Sequence, residues 1–202
     1  MMGQFENNET RNATETLQPD SLPMEINGHE AIDLGLSVKW ATCNVGASAP
    51  EEYGDYFAWG ETESKEEYTA ANSLTYGQED VKHIAGDVRY DAARRHWGAT
   101  WRLPNKEEWE ELRDKCTWLW SSRENISGYN IIAPNGNAIF LPTTGKRLGT
   151  SIHYVETYGC YWSSSAPESN TLNAYTLGFY DSSYNLDWED RSFGRCVRPV
   201  SD

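Results

Sequence analysis

Cysteine and histidine are the side chains of this sequence whose spacing could indicate catalysis or metal binding. The four cysteines, Cys43, Cys116, Cys160 and Cys196, stand singly, without the CxxC or Cys/His spacing of a zinc site. The histidines are equally scattered, and no Ser, His and Asp stand out as a hydrolytic triad. We therefore expect no catalytic residues, no metal and no cofactor.

The cysteines also raise the question of disulfide bonds. Cys160 and Cys196 lie near predicted strands that could be neighbours, which makes them one candidate pair. Cys43 and Cys196 form a second candidate pair, and free, buried thiols are the third alternative. Cys116 falls on the apolar face of a predicted helix, where a buried thiol is common. Sequence spacing does not choose among these alternatives.

The greatest variety of side-chain types lies near the carboxyl end, in residues 184–200, YNLDWEDRSFGRCVRPV. The segment places Tyr184, Trp188 and Phe193 among acids and arginines, directly before the plain ending VRPV. Tyrosine and tryptophan provide large contact areas at a low cost in side-chain entropy, as they do in antibody paratopes. The segment therefore has the composition of a recognition surface.

Composition limits the classes of partner. The formal charge is -14 and the pI is near 4.7, so the surface repels phosphate backbones and anionic membranes. The hydrophobic fraction is 38%, and no run approaches the ~20 apolar residues of a membrane helix. We expect no nucleic-acid partner and no membrane-spanning segment, whereas proteins and glycans are suitable ligands.

The N-terminal part differs in composition from the rest. Residues 1–28 are polar and lack apolar periodicity, which predicts a disordered arm without the features of a secretory signal. Residues 29–202 form one predicted domain, with 160–200 as its candidate variable or ligand-binding region. With 9 Trp and 12 Tyr, the core of this domain is expected to consist largely of aromatic rings.

Two helices are predicted from local patterns. Residues 91–97 resemble a short helix. Residues 106–116 form a longer one, because Asn105 is a favourable N-cap and Glu108 stands where a capping-box partner is expected.

Strands are short and concentrated late in the chain. The tract 44–77, with its Gly and Pro residues, predicts a long loop whose aromatic side chains pack back on the sheet. Asn135-Gly136 predicts a two-residue hairpin turn with positive φ at both positions. Helices early and strands late indicate an α+β fold of mostly antiparallel strands. Strands are predicted at residues 36–41, 117–120, 129–133, 138–141, 160–164, 174–179 and 196–200.

Several ordered phrases resemble one bacterial family. They are DLGLSVKWATCNVGA (33–47), EYGDYFAWGE (52–61), WRLP (101–104), IFLP (139–142), YWSSS (161–165) and VRPV (197–200). Together they resemble the Fibrobacter succinogenes major paralogous (FISUMP) domain, which is related to the C-type-lectin-like fold of formylglycine-generating enzymes. The resemblance covers about residues 30–200.

This resemblance implies a C-type-lectin-like architecture in which residues 38–41 pair antiparallel with residues 197–200, near the two ends of the domain. It also implies a core in which Trp40, Trp101 and Trp162 could stack. Formylglycine-generating relatives use a close pair of cysteines, and no two cysteines here are close in sequence, so we expect no enzyme. Residues 188–190, Trp-Glu-Asp, are similar to the calcium strand of sugar-binding lectins, but without the companion motif we expect no calcium site.

The ending is also similar to the variable proteins of diversity-generating retroelements, in which chosen positions of the C-terminal strands and loops are exchanged on a fixed scaffold. Cys160 and Cys196, which stand where the family more often has Tyr and Ser, could be products of such variation. The similarity implies a scaffold of Tyr161, Trp162, Ala174, Tyr175, Leu177, Phe179, Gly194 and residues 197–200. The implied ligand-binding residues are Asn173, Thr176, Gly178, Tyr180, Asp181, Tyr184, Asp187, Trp188, Glu189, Asp190, Ser192, Phe193 and Arg195.

Alternation along residues 174–179 supports this division. Successive side chains of a strand point to opposite faces, so Tyr175, Leu177 and Phe179 share an apolar face. The other face holds Ala174, Thr176 and Gly178, which we expect to meet a ligand.

The leading hypothesis is a non-enzymatic recognition protein, a surface receptor or adhesin-like domain of bacterial or phage origin. It would act at the cell surface, outside the cell or on a virion, and bind a protein or a glycan. A structural or accessory surface-lipoprotein domain without a dedicated ligand is the alternative. An enzyme of the formylglycine-generating type is the third hypothesis.

Overall fold

The computed structural model describes residues 23–202, which fold into small antiparallel sheets and two α-helices. The helices are α1 (Ala92–Trp97) and α2 (Lys106–Lys115). The strands are β1 (Met24–Ile26), β2 (His29–Ile32), β3 (Lys39–Ala41), β4 (Thr117–Arg123), β5 (Ile126–Ile132), β6 (Ala138–Pro142), β7 (Lys146–Leu148), β8 (Ser151–His153), β9 (Gly159–Trp162), β10 (Asn173–Tyr180), β11 (Ser183–Asp190) and β12 (Val200–Ser201). The α+β class with mostly antiparallel strands is confirmed. None of the helices in this part of the chain has the length and apolarity needed to cross a bilayer.

One sheet joins the two ends of the described chain, in the order β1-β2-β3-β12. Val200 of β12 stands opposite Trp40 of β3, which is the antiparallel pairing expected from the sequence. The closing strand is shorter than predicted, because residues 196–199 make separate hydrogen bonds to several segments instead of one ladder.

The predicted arm, residues 1–28, falls largely outside the described residues, which begin at 23. Its last residues were assigned wrongly. Met24–Ile26 is strand β1 and pairs with β2 through a turn at Asn27 and Gly28, both of which have positive φ. Asn and Gly are the residues that adopt this conformation most easily, so the turn was a missed signal in the sequence.

Helix α2 forms as its capping residues predict. The Asn105 side chain accepts a hydrogen bond from the Glu108 N–H at 2.8 Å, and the Glu108 carboxylate accepts one from the Asn105 N–H at 2.8 Å. This reciprocal capping satisfies two N–H groups that the helix start would leave unpaired. The helix packs its buried Trp109 and Leu112 into the core.

The predicted hairpin between β5 and β6 is present, but its turn differs from the expectation. Among residues 133–137 only Gly136 has positive φ, and its N–H donates to the Ala133 carbonyl at 3.0 Å. The Ala133 N–H donates to the Asn137 carbonyl, which leaves three residues in the loop. Pro134, with φ restricted to negative values, favours an ordinary turn closed by a left-handed glycine over the mirror-image turn.

Large aromatic side chains fill the core, as the composition predicts. Trp40, Trp101 and Trp162 are all buried, but they do not form one stack. Trp40 lies 4.7 Å from Trp109 in one cluster, and Trp101 lies 5.1 Å from Trp97 in another. The long loop contributes further buried rings, Tyr56, Phe57, Trp59 and Tyr68, which confirms that its aromatic residues pack inward.

Candidate functional site

The predicted ligand-binding residues centre on the hairpin β10–β11. Residues 183–190 belong to its second strand, although no strand was predicted there, and β10 is the middle strand of the sheet β11-β10-β9. Directly opposite residues of an antiparallel pair share a face, so the register Phe179↔Tyr184 defines one face and Thr176↔Asp187 the other.

We call the face of Phe179 and Tyr184 the helix face, because α2 packs near it. We call the face of Thr176 and Asp187 the Tyr158 face, after the ring that covers part of it. The helix face carries Asn173, Tyr175, Leu177, Phe179, Tyr184, Leu186, Trp188 and Asp190. The Tyr158 face carries Ala174, Thr176, Gly178, Tyr180, Ser183, Asn185, Asp187 and Glu189. The predicted residues that belong to the two strands are therefore divided between two opposite faces of one hairpin.

Side chains on the helix face belong largely to the core. Tyr184 is half-buried and stacks on Trp118 with ring centroids 4.5 Å apart and an interplanar angle of 10°. It also meets the edge of Tyr129 at 5.5 Å. Trp188, at the end of this face, is 48% exposed and stands opposite Tyr175. Tyr184 thus fixes the hairpin against the sheet β4-β5-β6, and its assignment to an open surface is corrected.

On the Tyr158 face, the β10 half is covered. Thr176 is 1% exposed, and an added Cβ at Gly178 would lie 2.5 Å from the Tyr158 hydroxyl oxygen. Trp162 of β9 stands opposite Thr176, and the Arg195 guanidinium lies over its indole ring at 4.9 Å. The face expected to be open along β10 is therefore covered by Tyr158, which precedes β9, and by Arg195 of the segment after β11.

Arg195 and Ser192 are corrected for the same reason. Arg195 is fully buried, and its backbone pairs with Phe57 through hydrogen bonds of 2.9 and 3.0 Å. Ser192 is 2% exposed, and its hydroxyl donates to the Asp190 carboxylate at 2.6 Å. Both residues support the surface instead of forming it.

Charged groups connect the segment after β11 to the hairpin. The Arg195 guanidinium lies 3.0 Å from the Glu189 carboxylate, and the Lys146 ammonium lies 3.5 Å from the same carboxylate. Lys146 also lies over the ring of Phe193 at 5.3 Å. Glu189 is thus held from two sides by cations, and the half-buried Phe193 covers the cationic groups.

A second arginine, Arg191, fixes the end of β11. It is fully buried, its guanidinium lies 4.3 Å over the Trp59 ring, and its Nε donates to the Asn173 carbonyl at 3.0 Å. Desolvation by burial lowers the pKa of Arg191 to about 10, which leaves it charged at neutral pH. The arginine joins the hairpin to the long loop through backbone carbonyls of Thr75 and Gln78.

The side chains that remain accessible around the Tyr158 face form one group. We call it the display surface: Tyr154, Tyr158, Tyr180, Asp181, Asn185, Asp187 and Phe193. Tyr180 is 47% exposed and packs on the Tyr158 ring at 4.6 Å, and Lys146 lies 6.0 Å over the ring of Tyr154. Tyr154, Tyr158 and Asn185 were missed, since only the folded β7–β9 region brings the two tyrosines to the hairpin.

The cysteines do not form a reactive group. All four lie within the described residues and all are free, with Cys160 and Cys196 fully buried. Burial raises the pKa of both of these thiols, and it raises the pKa of the half-buried Cys116 to about 11. Protonated, inaccessible thiols are poor nucleophiles. Neither of the candidate disulfides is formed.

Among residues 23–202, no group of three or more His, Cys, Asp or Glu side chains is arranged to hold a metal ion. The acids of β11 are separated by the hairpin geometry, with Asp187 and Glu189 on one face and Asp190 on the other. The carboxylates therefore do not converge as they would around calcium.

Comparison with known proteins adds one similarity. Residues 115–200 match the family model of a domain of unknown function (DUF8237), a match that covers less than half of the chain. It extends from the end of α2 to the start of β12 and so includes the hairpin and the segment that supports it. Searches of curated proteins and of solved structures found no match.

Proposed function

We propose that this chain is a non-enzymatic ligand-recognition domain that binds a protein or a glycan through the display surface. The observation that carries the proposal is the contrast between the exposed Tyr180, Asn185 and Asp187 and the buried Arg195, which packs over Trp162 on the same face. Exposed aromatic and polar side chains on a tightly held hairpin lose little entropy when they meet a partner.

The display surface offers two kinds of contact. Tyr154 and Tyr180 present ring faces and hydroxyl groups, which suit a glycan ring or an apolar side chain of a protein. The Tyr158 hydroxyl lies against Gly178, and the Tyr158 ring supports Tyr180. Asp181, Asn185 and Asp187 add hydrogen-bond acceptors and negative charge on an already acidic chain. A ligand rich in hydroxyl groups or positive charge fits this surface better than an anion does.

We further propose a C-type-lectin-like architecture, related to the FISUMP domain and to the variable proteins of retroelements. The pairing of β3 with β12 supports it, since this closure is what the resemblance implies. Such a domain would function at a cell surface, outside the cell or on a virion. The alternative, an accessory domain without a dedicated ligand, requires that the display surface bind nothing.

If the region is diversified, the exchanged positions should be those at the surface. Tyr180, Asp181 and Asp187 meet this condition. Thr176, Ser192 and Arg195 do not, because exchange at a buried position changes packing and stability. A reverse-transcriptase gene and an adenine-rich template repeat beside the gene would support diversification, and their absence would limit the proposal to recognition.

The direct test is a binding screen of residues 23–202 and of the whole chain against a glycan array and a panel of purified bacterial surface proteins. Saturable binding of at least one probe supports recognition. Absence of binding across both panels favours the accessory domain.

A further inference from the structure

A small polar cavity lies away from the display surface. Its volume is about 180 Å³, and Asp55, Tyr56, Lys65, Tyr68 and Arg147 are among its lining residues. Pockets for drug-sized ligands measure roughly 300–1,000 Å³, so this cavity admits only a small molecule. Most of its wall comes from the long loop between β3 and α1, and Arg147 comes from β7.

Arg147 supplies a cation without a counter-ion. Its guanidinium lies 5.5 Å over the Tyr56 ring and 6.0 Å over the Tyr68 ring, which hold it from two sides. Among the described residues it makes no ion pair, and its buried Nε has no hydrogen-bond partner. A guanidinium held in this way is suited to bind a carboxylate with two hydrogen bonds.

Asp55 supplies the opposite charge in the same cavity. Its side chain is exposed and forms no ion pair with Arg147 or any other described residue. Lys65, the remaining charged group, is already neutralised, because its ammonium lies 2.9 Å from the Glu61 carboxylate and donates to the Asn72 carbonyl at 3.0 Å. Arg147 and Asp55 are therefore the two charged lining residues that form no ion pair with any described residue.

We propose that this cavity binds a free α-amino acid, with its carboxylate on Arg147 and its ammonium group on Asp55. A simple anion would be repelled by Asp55, and a simple cation would be repelled by Arg147. A small zwitterion satisfies both groups at once and fits the volume. The site is independent of the display surface, since Lys146, the neighbour of Arg147, points instead to Glu189 and Phe193.

The test is a calorimetric titration of the full chain with each of the common L-amino acids at up to millimolar concentration. Propionate and ethylamine serve as probes that carry only one of the two charges. At least one amino acid should bind, and both single-charge probes should bind more weakly. Arg147→Met and Asp55→Asn should each weaken that binding by about tenfold or more, the value of a charged hydrogen bond. Lys146→Met, which removes a neighbouring cation outside the cavity, should leave the affinity for the amino acid unchanged.

Three results would overturn the proposal of an amino-acid site. They are no heat of binding from any amino acid, unchanged affinity in both cavity variants, and equal affinity for propionate and the best amino acid. Thermal unfolding shows whether each variant is folded. Asp55→Asn alters an exposed side chain that makes no described hydrogen bond, so this variant still tests the site if Arg147→Met is unstable.

Discussion

The buried guanidinium of Arg195 lies 3.0 Å from the carboxylate of Glu189, which links the segment after β11 to the Tyr158 face of the hairpin. Arg195 is fully buried and Glu189 is partly exposed. The pair therefore holds the segment after β11 against the hairpin, and its guanidinium is not accessible to a ligand.

Removal of Glu189 is expected to destabilise the protein more than removal of both partners. Glu189→Ala leaves the buried Arg195 guanidinium without its anion, at a cost of about 2–3 kcal/mol after allowance for the exposure of the pair. The double variant Glu189→Ala/Arg195→Met should lose less. Urea unfolding of the four members of this cycle measures the difference, and equal losses in the single and double variants would contradict the role of the pair.

Tyr184 and Tyr180 should behave differently, although the sequence placed both in one surface. Tyr184→Ala removes a ring stacked on Trp118 and should lower the free energy of unfolding by about 2–3 kcal/mol. Tyr180→Ala should cost less than about 1 kcal/mol, because the ring is 47% exposed. Chemical denaturation of the two variants checks the contrast, and a reversal of their order would place Tyr180 in the core.

Stability should fall between neutral pH and about pH 5 through His29. Burial lowers the pKa of His29 below 6.5, and its ring stacks on Trp97 at 3.8 Å. The unfolded chain takes up a proton near pH 6.5, whereas the folded chain takes it up only at lower pH, so acidification favours unfolding. In His29→Phe, which keeps a ring on Trp97, the fall in unfolding free energy over this interval should be smaller. An identical pH profile would refute the contribution of His29.

The two fully buried thiols should be unreactive in the folded protein. Cys160 and Cys196 are fully buried with raised pKa values, so neither should react with a thiol reagent at neutral pH until the chain unfolds. Mass spectrometry after alkylation, with and without denaturant, counts the modified cysteines. Alkylation of Cys160 or Cys196 in the native state, or a mass that changes on reduction, would disagree with the structure.

Local signals predicted much of the fold. The capping pair Asn105 and Glu108 predicted where helix α2 begins, and the alternation of apolar and polar residues predicted the main strands. Both patterns depend only on neighbours in sequence. The strand β11 was missed although Tyr184, Leu186 and Trp188 alternate with polar residues. Its many acids are unusual in a strand, but in the structure they lie along the exposed edge of a three-stranded sheet.

The candidate site was predicted less well, for a physical reason. Alternation shows that Thr176 and Tyr180 share a face, but it does not show what covers that face. Tyr158 and Arg195 cover it, and they approach from other parts of the chain. The burial of a charged residue such as Arg195 is uncommon, so exposure was the reasonable expectation from sequence.

The central claim is that the exposed half of the Tyr158 face binds a ligand while the structure behind it stays fixed. The most direct measurement compares the wild type with the variant Tyr180→Ala/Asn185→Ala/Asp187→Ala against the best probe of the glycan and protein panels. Trp188→Ala, an equally exposed aromatic on the helix face, is the matched control. We expect the triple variant to lose binding with an unchanged unfolding temperature and the control to retain it. Undiminished binding by the triple variant, or loss only in the control, would contradict the account.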